Sequence, residues 1–194
     1  MDFVCENKDI VGSMLLCYGV CAGIFGVFLF PVPERWGRVK SMRIFGGANV
    51  LAQFLVILVP NYYTRMIGYC MLGVSQLKNG ISYVWMFENV ENRLKSTACG
   101  VMNGVDAATL GVMCIYFMYY PNYKYLQIIM STLCAISYII LISVMPESAK
   151  WHLIKGNMEG ALESFDTIAK LNGSKCRIPR DSTFAEFIPA DTAE

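Results

Sequence analysis

With 194 residues, 55% of them hydrophobic, and a net charge of only +1, the chain is too apolar for an ordinary soluble domain and lacks the basic excess of a nucleic-acid binder. One histidine, eight cysteines without zinc-site spacing and no phosphate-cradling glycine loop exclude a conventional enzyme or metal centre. A hydrocarbon core of ~30 Å takes ~20 apolar residues per helical crossing, and five such segments are predicted at 11–30, 43–59, 63–86, 97–119 and 125–145. The expected fold class is therefore an all-α membrane protein, with the lipid bilayer as its solvent and no cofactor.

In chain order, residues 1–10 read as a short tail, acidic on balance, with neither the charged start of a signal peptide nor the Arg-rich character of an organelle transit peptide. The first segment, 11–30, carries Gly19 and Gly23 one turn apart, and the second, 43–59, clusters Gly47, Ala48 and Ala52. Between them runs a basic loop containing Arg35, Arg38, Lys40 and Arg43. The third segment, 63–86, holds Gln76, Lys78 and Asn79, and the fourth, 97–119, holds Asn103 and Asp106 beside Gly100, Gly104 and Gly111. Small residues at this spacing predict close helix–helix approach, because in lipid apolar burial does not itself drive helices together. Six of the cysteines fall inside apolar segments and read as small core side chains. A disulfide at Cys5 would need a partner outside these helices.

Lysine and arginine alternate by loop: one in the N-terminal tail, four in 31–43, one in 60–65, two in 88–96, one in 120–124 and six after the fifth segment. This predicts an N-terminus on the non-positive side and a C-terminus on the positive, cytoplasmic or matrix-like side. A mitochondrial inner membrane is compatible with this pattern, although no targeting segment argues for it. Tyr62, Tyr63, Tyr116, Tyr119, Tyr120, Tyr123 and Tyr125 mark an aromatic belt on the other side. After Met145 the apolar pattern ends. Met158, Ala161, Leu162, Phe165 and Ile168 recur at helical spacing among charged residues, so 146–173 reads as a loop and an amphipathic surface helix, and 174–194 as an extended tail.

Intramembrane polar residues are functional candidates by default, which singles out Lys78, Asn103 and Asp106. A Lys78–Asp106 pair would neutralise both charges, either as a solute or proton site or as a structural ion pair. The loop charges Glu34, Arg35, Arg38 and Lys40 read equally as topology signals or as a latch between helices.

Three landmarks together resemble the N-terminal half of a major facilitator superfamily transporter, closest to its organic cation/anion branch and sugar-porter relatives. Glu34-Arg35-Trp36-Gly37-Arg38-Val39-Lys40 is similar to the family's D-R-x-G-R-R/K loop; Glu88 and Arg93 stand where the family has a Glu…Arg pair; and Pro146-Glu147-Ser148-Ala149-Lys150-Trp151 resembles its P-E-S-P-R-W sequence. Met1 to Glu6 is similar to the family's segment before its second helix. The resemblance covers about residues 1 to 173 and implies that the five segments are the family's second to sixth helices, without the first helix or the C-terminal half. It also implies a gating latch at the loop and an inside-face cluster of Glu147 and Arg93. The sequence departs from the pattern at Phe30, where the loop's opening Gly would stand, at Val39, where a second Arg would stand, at Tyr69, and at Ala149 and Lys150.

Two functions are expected from this. A degenerate, transporter-derived chain would act as a non-transporting accessory subunit of a larger membrane complex. The alternative is one chain of a split secondary transporter for small organic ions or solutes, with other membrane subunits supplying the missing helices.

Overall fold

The computed structural model describes residues 8–59, 61–120 and 122–173. The expectations for the N-terminal tail before residue 8, including Cys5 and the Met1–Glu6 resemblance, and for the 174–194 tail lie outside them. The described residues form helices and turns without strands, in two compact units, Met1–Met145 and Pro146–Glu194.

The first unit contains α1 (Lys8–Leu29), the short α2 (Val32–Trp36), α3 (Arg38–Leu58), α4 (Tyr62–Ser75), α5 (Leu77–Asn89), α6 (Lys95–Tyr119) and α7 (Tyr123–Val144). Helix α3 is its centre, packing on α2, α4, α5 and α7, while α1 lies along α4. The apolar core joins Val39, Met42 and Phe45 of α3 to Ile81 of α5. Large apolar side chains such as Phe28, Leu58, Leu110 and Ile139 point outward, which a lipid solvent makes favourable rather than costly. Helix α6 is peripheral: it buries none of its residues.

Gly37 sets the turn from α2 into α3. Its φ of 106° lies where an L side chain is strained, its N–H donates to the Pro33 carbonyl, and its own carbonyl accepts from Ser41. The loop motif therefore keeps its glycine for a backbone reason.

Among the described residues four helices, not five, are long and apolar enough to cross a membrane: α1, α3, α6 and α7. The third expected span, 63–86, is divided at Gln76 into helices of 14 and 13 residues. At the division the backbone tightens to three-residue steps, Gln76 N–H donating to Gly73 O and Asn79 N–H to Gln76 O. Serine hydroxyls tap the carbonyl ladder on both sides, Ser75 donating to Leu72 O and Ser82 to Lys78 O, each at 2.8 Å. Such back-bonding weakens and bends helices. The hydropathy of 63–86 gives no sign of it.

The second unit is a helical hairpin of α8 (Ala149–Ile154) and α9 (Met158–Leu171). Ser148 and Asn157 cap the two helices through their side-chain oxygens, and Gly156, at φ 72°, makes the turn between them. Helix α9 occupies the position of the amphipathic helix expected from the apolar spacing, with Ala161 and Ser164 buried.

Candidate functional site: a buried ion pair and two polar clusters

The basic loop delivers Arg38 to the interior. Gly37 ends α2 and starts α3, so the first side chain of α3 turns back beneath α2. One Arg38 nitrogen donates to the Pro33 carbonyl at 3.2 Å and another to Glu88 Oε1 of α5 at 3.1 Å. The ion pair is largely enclosed, with side-chain exposures of 11% and 9%. Arg38 Nε and Glu88 Oε2 are buried without a protein partner. A cavity of about 60 Å³ adjoins Arg38, walled by Phe30, Pro33, Leu77 and Ile81 with Glu34 and Arg38 at its polar edge. Glu34, Arg35 and Lys40 are exposed, as is Arg93 on the loop after α5. Val39 faces the core, 2% exposed. Arg43 points elsewhere and donates to the carbonyls of Ile142 and Met145, closing the C-terminal end of α7.

A second group surrounds Asn49, which is 3% exposed on α3. Its amide nitrogen donates to Ser75 Oγ at 2.8 Å. Its carbonyl oxygen accepts from Lys78 Nζ at 3.1 Å, Gln53 Nε2 at 3.2 Å and the Cys134 thiol at 3.1 Å. Gln53 Oε1 in turn accepts from Ser131 Oγ of α7 at 2.8 Å. One carboxamide thus ties α3 to α7 and to both sides of the break between α4 and α5. Sequence reasoning flagged Lys78 but missed Asn49, Gln53, Ser75, Ser131 and Cys134. The available signal was the spacing of Asn49 and Gln53, one turn apart in an apolar segment.

The third group lies between α5 and α6. Tyr83 Oη donates to Asn103 Oδ1 at 3.1 Å, and Asn103 Nδ2 donates to the Cys99 carbonyl. Asp106 lies one turn further along α6, near the Tyr83 hydroxyl. Asn103 and Asp106 are exposed. Lys78 and Asp106, considered as a pair from the sequence, have different partners here: the lysine is held by Asn49 and the carboxylate lies beside Tyr83. Both sit on or against α5, but α5 turns Lys78 toward α3 and Tyr83 toward α6.

In the second unit, Ser148 is buried and its hydroxyl accepts from Trp151 N–H, while Ser148 N–H donates to Glu147 Oε1 at 3.3 Å. The Pro146-Glu147-Ser148 stretch therefore acts locally as the start of α8. Among the described residues no cluster of His, Cys, Asp or Glu could hold a metal ion.

Replacing Asn49 with leucine should lower stability by about 1–3 kcal/mol, since Lys78, Ser75 and Cys134 each lose a buried partner. Unfolding of the detergent-solubilised chain in increasing SDS measures this. Gln53→Leu, which removes one arm of the cluster, should cost less.

No family model matches the chain. A carcinine transporter from Drosophila melanogaster is 26% identical over 179 residues, which cover 89% of this chain and 26% of that protein. An organic cation/carnitine transporter 4 from Arabidopsis thaliana is 24% identical over 184 residues, 94% of this chain and 35% of that protein. The chain thus spans roughly a quarter to a third of these relatives' length. Together with the four apolar helices, the similarity makes this a transporter-related, multi-pass membrane protein, and both relatives are transporters rather than enzymes.

Proposed function

We propose that the chain forms one wall of a secondary transporter for small organic cations, with the Tyr83–Asn103–Asp106 face meeting the solute. The observation that carries this reading is the exposed Asp106 carboxylate, within an apolar helix and without a basic partner among the described residues. A charge at that depth costs several kcal/mol unless it is paired or hydrated. The Tyr83 ring and hydroxyl beside it suit an organic ammonium group, which is attracted by aromatic faces as well as by the carboxylate. Lys78 is already held by Asn49 and does not compete with that cation for Asp106. The names of the two relatives, one an organic cation/carnitine transporter, agree with this solute class. Further transmembrane helices, in the same or another polypeptide, supply the rest of the pathway, and the enclosed Arg38–Glu88 pair serves as the latch at the basic end.

Uptake of a radiolabelled organic cation into vesicles of the native membrane, which holds the remaining helices, tests the proposal once the chain is replaced there by its variants. Asp106→Asn should reduce uptake to background and Asp106→Glu should retain part of it. Uptake indifferent to Asp106→Asn would sink the proposal.

One observation favours the accessory-subunit reading instead. Val39, where the resembled loop has a second Arg, is committed to the core beside Met42 and Phe45 and offers no charge to an opposing gate. That reading requires stoichiometric co-purification with an assembly of unrelated function and no solute uptake.

A further inference from the structure

Helices α1 and α4 carry a thiol cluster that neither the latch nor the solute face uses. Two contacts set the register between these helices. Ser13 Oγ and Tyr62 Oη are hydrogen-bonded at 2.9 Å. Gly73 lies so close to α1 that a methyl group there would overlap the Tyr18 carbonyl oxygen and sit 3.2 Å from Cys21 Cβ. Residues 13 and 62, and then residues 18–22 and 73, are therefore neighbours, so the two helices run parallel. Cys17 and Cys21 are one turn apart on α1, and Cys70 is one turn before Gly73 on α4. The Ser13–Tyr62 and Gly73 contacts bring all three to one stretch of the seam, Cys70 on one helix facing the turn of Cys17 and Cys21 on the other. All three are free thiols and half-buried.

We propose that this cluster is an oxidation site, in which Cys70 forms a disulfide with Cys17 or Cys21 and staples α1 to α4. A disulfide needs Cα atoms ~4.4–6.8 Å apart, and the Gly73 contact holds the two backbones together one turn away. The oxidant is a hydroperoxide, of which hydrogen peroxide is the membrane-permeant member. One thiol sulfur attacks the peroxide, the O–O bond breaks, and a sulfenic acid and one water form. The second thiol attacks that sulfur, the S–S bond forms, and the sulfenic oxygen leaves as a second water. Two thiols lose two electrons and two protons, and one peroxide is reduced to two waters. The cluster's neighbouring thiols favour the disulfide over further oxidation of a single sulfur, because the resolving thiol stands on the facing helix of the same seam. A structural reading, with three small side chains filling a close seam, explains the packing equally but predicts no such product. The inference does not depend on whether the chain transports a solute.

The test treats the full chain in native membranes with hydrogen peroxide, alkylates remaining thiols, and maps the products by mass spectrometry with and without reductant. The expected product is ~2 Da lighter by loss of two hydrogens, contains a Cys70 peptide joined to a Cys17 or Cys21 peptide, and reverts on reduction. Cys70→Ser should abolish it, and so should Cys17→Ser with Cys21→Ser, which alters the other helix and guards against misfolding of either variant. Amide hydrogen exchange of α1 and α4 should slow in the oxidised form. Undiminished alkylation of Cys70, or its conversion to sulfinic acid without a joined peptide, would overturn the proposal.

Discussion

Truncating Arg38 to alanine is expected to destabilise the first unit by about 3–5 kcal/mol, the usual cost of leaving one member of a buried ion pair alone. Arg38 lies where α2, α3 and α5 meet, with one hydrogen bond to Pro33 O and one to Glu88. Its removal leaves the Glu88 carboxylate enclosed with no cation, and frees the α2 turn from α3. Glu88→Ala should cost a similar amount for the mirrored reason. The double replacement Arg38→Met with Glu88→Leu should recover most of the loss, because two apolar side chains of comparable volume carry no desolvation penalty. Equilibrium unfolding of the four proteins in mixed micelles gives the cycle. If the double variant is as unstable as the single ones, then packing at the junction, rather than charge, holds it. Arg35→Ala is the control: it is exposed on α2 beside the same junction and should change stability by no more than ~0.5 kcal/mol.

Gly73→Leu should be the most damaging single glycine substitution, at ~3 kcal/mol. The space a side chain needs there is occupied by the α1 backbone, at the Tyr18 carbonyl and the Ala22 nitrogen, and by Cys21 Cβ. A flexible side chain could swing aside, but a helix backbone has to move as a unit. The α1–α4 seam would open, and the Ser13–Tyr62 bond and the thiol cluster with it. Gly104→Leu is the informative contrast. No atom lies within 4 Å of the Cβ position there, so the isolated chain should change by ~0.5 kcal/mol or less. A comparable loss at both positions would show that helix propensity or membrane insertion dominates, and that the close approach at Gly73 is not the cause. The same SDS titration used for Asn49→Leu reports both.

The contrast between Gly73 and Gly104 also shows why small-residue spacing is an incomplete guide. Gly19, Gly23, Gly100 and Gly104 stand four apart, the pattern expected to mark tight contacts, yet none of them meets another helix in the described residues. In the first unit the close approaches fall at Gly68 against Val56, at Gly73 against α1, and at Gly46 and Gly47 under the ring of Tyr138. Spacing reports that a face is smooth. Which face meets a neighbour depends on how the other helices are placed around it.

Charged residues divide in the same way. Glu34, Arg35, Arg38, Lys40 and Arg43 stand within ten residues and read alike in the sequence. Their environments differ because the Gly37 turn rotates the chain: Arg38 faces inward, Arg43 reaches the end of α7, and Glu34, Arg35 and Lys40 stay at the surface. For Lys78 the residue was visible but its partner was not. Asn49 is 29 residues away, and only the packing of α5 on α3 brings the two side chains together.

Long apolar runs interrupted by basic loops determined, by themselves, that this protein is helical and embedded in a membrane, because whether a segment partitions into hydrocarbon is set by its own residues. Local composition also marked the change of character after Met145 and the apolar spacing of α9. Only the structure decided that the third span breaks at Gln76, that Arg38 is enclosed with Glu88, that Asn49 gathers four helices and that Cys70 stands across the seam from Cys17 and Cys21. Apart from the break at Gln76, whose hydrogen bonds are local, each of these depends on a contact between residues far apart in the chain, and the free energy of such a contact exists only once the helices have chosen their neighbours.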